Sequence, residues 1–235
     1  RFDSVQFRFL TTERRIQFTD DAFSTVRFAG RENVASIALT RDVAKGRFLE
    51  TTSGYRVSAA LDDSSAALGS EQEYRNLYLT LHHFQPLHRE SSIAFRFASG
   101  SSFGRDRQVF RVGGSDSLRG YGRYDSDTAA NNFALTNLEL RFPVLFDINT
   151  HVWFLFPDFL FKNVYGAVFT DNAVLWGNTT RLGDKGLGDV KNSAGLGLRF
   201  QAFVLHTYPI ILQFDWARRT SDGDQAFYIS FGPNF

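Results

Sequence analysis

A chain of 235 residues with 43% hydrophobic content fits one large all-β domain or two small ones, and no apolar run long enough for a transmembrane helix occurs in it. Its 26 Lys and Arg against 25 Asp and Glu leave a net charge of +1, scattered without a basic stripe, so nucleic acid is not an expected partner. The absence of Cys excludes a disulfide framework and a thiolate metal site, and suits an exported protein. The absence of Met and the start at Arg1, without the apolar core of a signal peptide in "RFDSVQFRFL", read as a processed or truncated piece.

Period-2 alternation runs along nearly the whole chain. Weak strands are expected near residues 5–10, 14–18, 24–29 and 34–43. "GYRVSAALD" then sets Tyr55, Val57, Ala59 and Leu61 on one face. "EYRNLYLTL" follows with Leu77, Leu79 and Leu81, and "SSIAFRFAS" with Ile93, Phe95 and Phe97. A long loop is expected over residues 100–131, with "GGSDSLRGYGRYDSDT" at 113–128, and it is followed by "NLELRF", where Leu138, Leu140 and Phe142 oppose Asn137, Glu139 and Arg141. "FDINTHVWFLFPDFLFKN" makes an unusually long and aromatic connection, read as lying on a membrane surface or against a partner domain. In "SAGLGLRFQAF", Leu196, Leu198 and Phe200 oppose Gly195, Gly197 and Arg199. "YPIILQFDWARR" sets Ile210, Leu212, Phe214 and Trp216 against Gln213, Asp215 and Arg219, "TSDGD" forms a hairpin, and "QAFYISFGPNF" ends the chain with Phe227, Ile229, Phe231 and Phe235 on one face. Together these make roughly ten to twelve strands of about ten residues, and no helix.

A soluble sandwich turns its apolar face inward and its charged face to water, and a membrane barrel does the reverse. Here the polar face carries Gly, Ser, Ala and Asn with isolated charges, while the other is bulky and apolar with aromatics toward strand ends, as in lipid-facing bands. The expected fold is an all-β antiparallel transmembrane barrel, as a single domain over 1–235 or as its C-terminal part. A mean hydropathy of −0.23 agrees, since half of each barrel strand faces a wet lumen. A soluble β-sandwich binding module is the competing reading.

The order "SDSLRGYGRYD", "FALTNLELRFPV", "VYGAVFTDNAVLW", "NSAGLGLRFQAF", "PIILQFDWARR" and "FYISFGPNF" resembles the C-terminal barrel of the BamA-type outer-membrane insertase superfamily, also called the bacterial surface antigen family, from about Gly54 to Phe235. The most specific element is "LRGY", which resembles the family's (V/I/L)-R-G-(F/Y) motif in an extracellular loop that folds into the lumen. The resemblance implies that Arg119, with Gly120 and Tyr121 beside it, reaches acidic groups on the two following strands, here Glu139 and Asp171. A planar guanidinium between two carboxylates forms directional bonds that Lys cannot copy, and the pairing is testable by joint reversal, Arg119→Glu with Glu139→Arg. The implied role is positional, and no chemistry is attached to it.

Phe235 with Phe231, Ile229 and Phe227 resembles the C-terminal targeting signal of outer-membrane barrels, and Gly232 and Pro233 are expected to weaken the seam strand. With the terminus on the periplasmic side, loops 100–131, 172–192 and 220–224 are expected to be extracellular, and 143–161 and 204–207 periplasmic. The family barrel has about sixteen strands, so further strands or POTRA repeats are expected outside this chain or diverged within it. The sheet then closes in a smaller ring, is completed by another chain, or belongs to a longer protein.

The implied function is insertion or translocation of proteins at the bacterial outer membrane through a lateral seam. Its partners are outer-membrane lipid, barrel or secreted proteins, and fused or associated periplasmic domains. The alternative is a passive pore, or an anchor and exit channel for an attached domain. No enzyme, cofactor or metal is expected. His82 and His83 point to opposite faces, "GDKGLGD" at 183–189 precedes no helix that could cradle phosphate, "SDGD" at 221–224 lacks the ligands of a calcium loop, and no Ser, His and acid grouping is visible.

Overall fold

The structure is a computed structural model that describes residues 2–19, 25–47, 50–88, 90–152, 159–177, 190–205 and 207–232. Its strands are β1 (Phe2–Thr19), β2 (Thr25–Asp42), β3 (Lys45–Arg47), β4 (Glu50–Ser64), β5 (Tyr74–Pro86), β6 (Ser92–Gly104), β7 (Phe110–Arg111), β8 (Ala129–Ala130), β9 (Asn132–Leu145), β10 (Thr150–Val152), β11 (Phe159–Trp176), β12 (Val190–Val204), β13 (Tyr208–Arg219) and β14 (Gln225–Phe231). The long strands form one antiparallel sheet in the order β1-β2-β4-β5-β6-β9-β11-β12-β13-β14, each next to its neighbour in the chain, as in an up-and-down barrel. β3 lies on β4, β10 lies on β11, and β7 pairs with β8 apart from the wall. Among the described residues β1 and β14 each pair on one side only, so the sheet is a partial barrel.

The four weak N-terminal segments are two strands, because 5–10 and 14–18 are continuous in β1, and 24–29 and 34–43 merge into β2 from Thr25. Alternation lapses at Thr11 to Arg15 and at Gly30 to Asn33, and these stretches pair with each other, Thr11 with Asn33 and Glu13 with Arg31. A barrel strand needs about 9–11 residues to cross a bilayer, so an 18-residue strand continues past the apolar band, where either face can be polar. The same overrun corrects the connections. Asn172 to Trp176 belong to β11, Pro143 to Leu145 to β9, Phe159 to Phe161 to β11, and the long loop begins after Gly104. Two 3-10 turns, Ala66–Leu68 and Ser126–Thr128, interrupt the otherwise all-β chain.

Burial is inverted relative to a water-soluble sandwich. Leu77, Leu138, Leu196, Ile229 and Phe231 stand exposed on the convex face, while Glu139, Asp171, Arg119, Arg199 and Asp215 are at most 1% exposed inside. Such an apolar exterior is stable only against lipid or another apolar surface. The buried apolar cluster of Ala98, Val112, Leu118, Tyr121, Ala130, Leu135, Ala173 and Leu175 lies between the β6–β9 connection and the inner faces of β6, β9 and β11. Phe110 extends it, meeting Tyr78 and Phe133 edge-on at 5.4 Å each. The loop thus shares a small core with the wall and packs inside it.

Candidate functional site

Inward positions on a strand recur every second residue, so Asn137, Glu139 and Arg141 of β9 point to the same side. Register places Glu139 opposite Phe169 of β11, and Asp171 lies two residues farther along that strand, also inward. Into this corner the loop delivers Arg119. Gly120, at φ +93°, lets the chain bend there with its backbone close to the wall, where a Cβ would lie 3.3 Å from that of Ser193.

The guanidinium is held on several sides. Its Nε and one terminal nitrogen donate to the two oxygens of Asp171 at 2.7 and 2.9 Å, in a bidentate fork, and the Arg119 amide donates to the same carboxylate at 3.1 Å. The other terminal nitrogen donates to Glu139 at 2.8 Å and reaches Asp215 of β13 at 3.4 Å. One face of the group lies 3.3 Å from the centroid of Phe169. Lys could supply neither the fork nor the stacking plane.

The loop is tied at further points. The Gly120 amide donates to the Tyr228 hydroxyl of β14 at 2.9 Å, and that hydroxyl donates to the Tyr121 carbonyl at 3.4 Å. Arg219 of β13 donates to the Gly120 carbonyl at 2.7 Å, pairs with Asp125 at 2.9 Å, and lies 4.4 Å from the centroid of the Tyr121 ring. Asn137 donates to the Ser117 carbonyl at 2.6 Å. Arg119 thus anchors an inward-folded loop to three strands of an antiparallel membrane-type wall, β9, β11 and β13, and β14 holds its neighbours. A family model described as the Omp85 superfamily domain matches residues 31–235. The chain belongs to the Omp85 superfamily. No curated protein gives a significant match to it.

The Omp85 match starts in β2, ahead of the expected boundary near Gly54. The superfamily is of the outer-membrane insertase and translocator type, a class of membrane proteins and not of conventional enzymes, and the all-β fold is consistent with an outer-membrane location.

Three charged residues of this Omp85 wall join the Arg119 cluster without having been singled out from the sequence. Arg199 of β12 donates to Asp215 at 2.6 and 3.2 Å and to both oxygens of Glu139 at 3.3 Å, while Arg141 donates to Glu139 at 2.9 Å. Glu139 therefore meets three guanidiniums. The sequence did show Asp215 and Arg199 as charges at inward positions of apolar or glycine-rich strands, but not that they meet.

Glu50 is the other unforeseen member. β4 leaves the wall at Gly54, whose φ of +91° turns the hairpin of β3 and β4 inward. Glu50 crosses to the opposite side, 3.3 Å from Arg141, and accepts from Gln201 at 2.8 Å; Gln201 in turn accepts from Asn163 at 2.8 Å. A cavity of about 260 Å³ remains beside it, lined in part by Ser92, Arg141, Lys162, Tyr165 and Gln201. Replacing Glu50 by Ala leaves buried donors without their acceptor, at about 1–3 kcal/mol. Tryptic cleavage after Lys45 and Arg47 is then expected to accelerate on the order of tenfold while the wall survives. Unchanged cleavage would mean that Glu50 does not hold the hairpin.

Of the C-terminal residues, Phe227, Ile229 and Phe231 face outward and exposed, as expected. Gly232 follows the strand with φ +89°; its amide donates to the Ile211 carbonyl at 2.8 Å, and Gln213 bonds to its carbonyl. Pro233 and Phe235 lie outside the described residues, as do 183–189 and the centre of the long aromatic connection.

Proposed function

We propose that this Omp85 chain assists insertion or translocation of proteins at the bacterial outer membrane, with β14 forming one side of a lateral seam. The observation that carries this reading is the tie between the lumen loop and that strand. Tyr228 of β14 holds both Gly120 and Tyr121, the two residues next to Arg119. A seven-residue strand paired only with β13 among the described residues offers its other edge for hydrogen bonding. A substrate strand that pairs with this edge pulls on Tyr228, and the latched loop resists or follows. Phe227, Ile229 and Phe231 match the pattern of a targeting signal and of a lipid-facing seam alike. In this reading the ends carrying 105–131, 178–189 and 220–224 face outside the cell, and the hairpin turn after β12 faces the periplasm. The partners are outer-membrane lipid, barrel or secreted proteins in transit, and periplasmic domains.

The chain contains no Cys, so single cysteines along β14 report cleanly. Cysteine at Ser230 or Ile229 is expected to give disulfide adducts with cysteine-bearing substrate strands, or with the first strand of the barrel, in cells making outer-membrane proteins. If neither adduct forms, the seam reading fails. Steady, large conductance in planar bilayers, with no effect of depletion on other barrels, would instead support the passive pore or exit channel. The inward loop and the Glu50 hairpin both occupy the lumen and count against it.

A further inference from the structure

A groove of about 710 Å³ runs over the convex face of β11, β12 and β13 near the end that carries the 220–224 turn. It is lined by Val168, Ala194, Leu196, Trp216, Arg218 and Gly223, among others. Small residues shape its floor. Ala194 presents only a methyl group, and Gly195 beside it has no Cβ, which would run into the ring of Phe169. The outer face is thus thin here, and Phe169 lies between the groove and the guanidinium of Arg119.

Arg218 stands where the apolar strip of Val168, Leu196 and Trp216 gives way to the polar rim of Arg219, Thr220 and Asp222. Its cross-strand neighbours are Ala194 and Gln225, and its guanidinium lies against Gly223 of the turn. Among the described residues it has no ionic partner, because the nearby carboxylates Asp222 and Asp224 are taken by Arg219 at 3.4 and 3.6 Å. Trp216, one inward-outward repeat deeper, donates its indole N–H to Gln225 at 3.1 Å and turns its ring to the groove. An aromatic at the edge of the apolar band followed by a cation at the rim is the order in which a bilayer passes from acyl chain to head group.

We propose that this groove binds one lipid with an anionic phosphate head group, its acyl chain along Leu196, Val168 and Trp216 and its phosphate on Arg218. The proposal rests on the reading of the convex face as lipid-facing. A planar fork suits phosphate oxygens, and the apolar walls suit a chain and not a soluble anion. Free inorganic phosphate would lack everything below the guanidinium. The single ring between groove and latch places this lipid next to the support of Arg119.

The test is quenching of Trp216 fluorescence, in the full chain with Trp153 and Trp176 replaced by Phe. Vesicles mix phosphatidylcholine and phosphatidylglycerol at fixed composition, with bromine on the acyl chains of one lipid or the other. Brominated phosphatidylglycerol is expected to be preferred at Trp216 by about fivefold, the effect of one basic residue at an anionic surface. Arg218→Gln is expected to abolish the preference, and Arg218→Lys to retain part of it. An equal preference in wild type and Arg218→Gln, or no preference in wild type, would overturn the site while leaving the lipid-facing reading intact. Absence of quenching by either lipid would overturn that reading and the site with it.

Discussion

Arg119→Ala is expected to release the loop between β6 and β9 from the wall without dissolving the wall. With the loop still docked, Asp171 would be fully buried without its ionic partner, and Glu139 and Asp215 would each lose a donor but keep Arg199. Removing one partner of a buried ion pair costs about 3–5 kcal/mol, because the remaining charge stays desolvated. The ladder of β9, β11, β12 and β13 makes no use of Arg119, so heat-modifiable gel mobility should still report a folded barrel, with a shifted position for an unlatched loop. Protease access should rise within 113–128, where Arg123 and Tyr124 already lie at the surface. Arg119→Lys should recover only part, since an ammonium keeps the charge and loses the fork to Asp171 and the plane on Phe169. A wild-type proteolysis pattern in Arg119→Ala would remove the latch from this description.

Charge reversal gives a sharper test once the surroundings are known. Exchanging Arg119 with Glu139 is the pairing that the sequence suggests, yet it is expected to fail. Arg introduced at 139 would face Arg141 and Arg199, which already donate to that position at 2.9 and 3.3 Å. Exchanging Arg119 with Asp171 is the better pair, because Asp171 engages no other guanidinium in the cluster. Arg119→Asp with Asp171→Arg should recover more loop protection than either single variant. Equal losses in the single and double variants would show that the fork at Asp171 is not what anchors the loop.

The reason for expecting the simpler exchange to fail, the two further guanidiniums at Glu139, was not legible in the sequence. Alternation fixes which side each residue of a strand takes, so Glu139 and Asp171 could be placed inward, and Leu138, Leu140 and Leu196 outward, before any fold was known. The match of "LRGY" to a loop motif then named the group that meets them. Parity is silent on distance across the lumen. Asp215 and Arg199 share the inward face with several polar residues, and their meeting with Glu139 depends on strand stagger and on the depth of the loop. Glu50 was out of reach for another reason, since its segment leaves the wall at Gly54 and strand parity no longer applies. Tyr228 looks from sequence like any tyrosine on the polar face of a strand, and its bond to Gly120 spans 108 positions. Strand lengths were underestimated where β1 and β2 outrun the apolar band.

Glu139→Ala is expected to be the more damaging substitution, and for the wall itself. Glu139 is fully buried and accepts from Arg119 at 2.8 Å, Arg141 at 2.9 Å and Arg199 at 3.3 Å. After its removal Arg119 retains Asp171 and, at 3.4 Å, Asp215, Arg141 retains Glu50 and Arg199 retains Asp215, but the carboxylate that all three cations shared is gone. Two of them, Arg141 and Arg199, stand on β9 and β12, so the strain falls on the sheet and not only on a loop. A loss of at least the about 3–5 kcal/mol of a broken buried pair is expected, seen as a lower urea midpoint and a reduced yield of the heat-modifiable form. Glu139→Gln should be milder, because its amide oxygen still accepts one bond. The attribution to crowded cations is separable from simple cavity formation by a double-mutant cycle. Adding Arg199→Ala to Glu139→Ala removes one of the crowded charges, so the combined loss should fall well short of the sum of the two single losses. Additive losses would assign the damage to the missing side-chain volume, and the charge network would then carry little of the wall's stability.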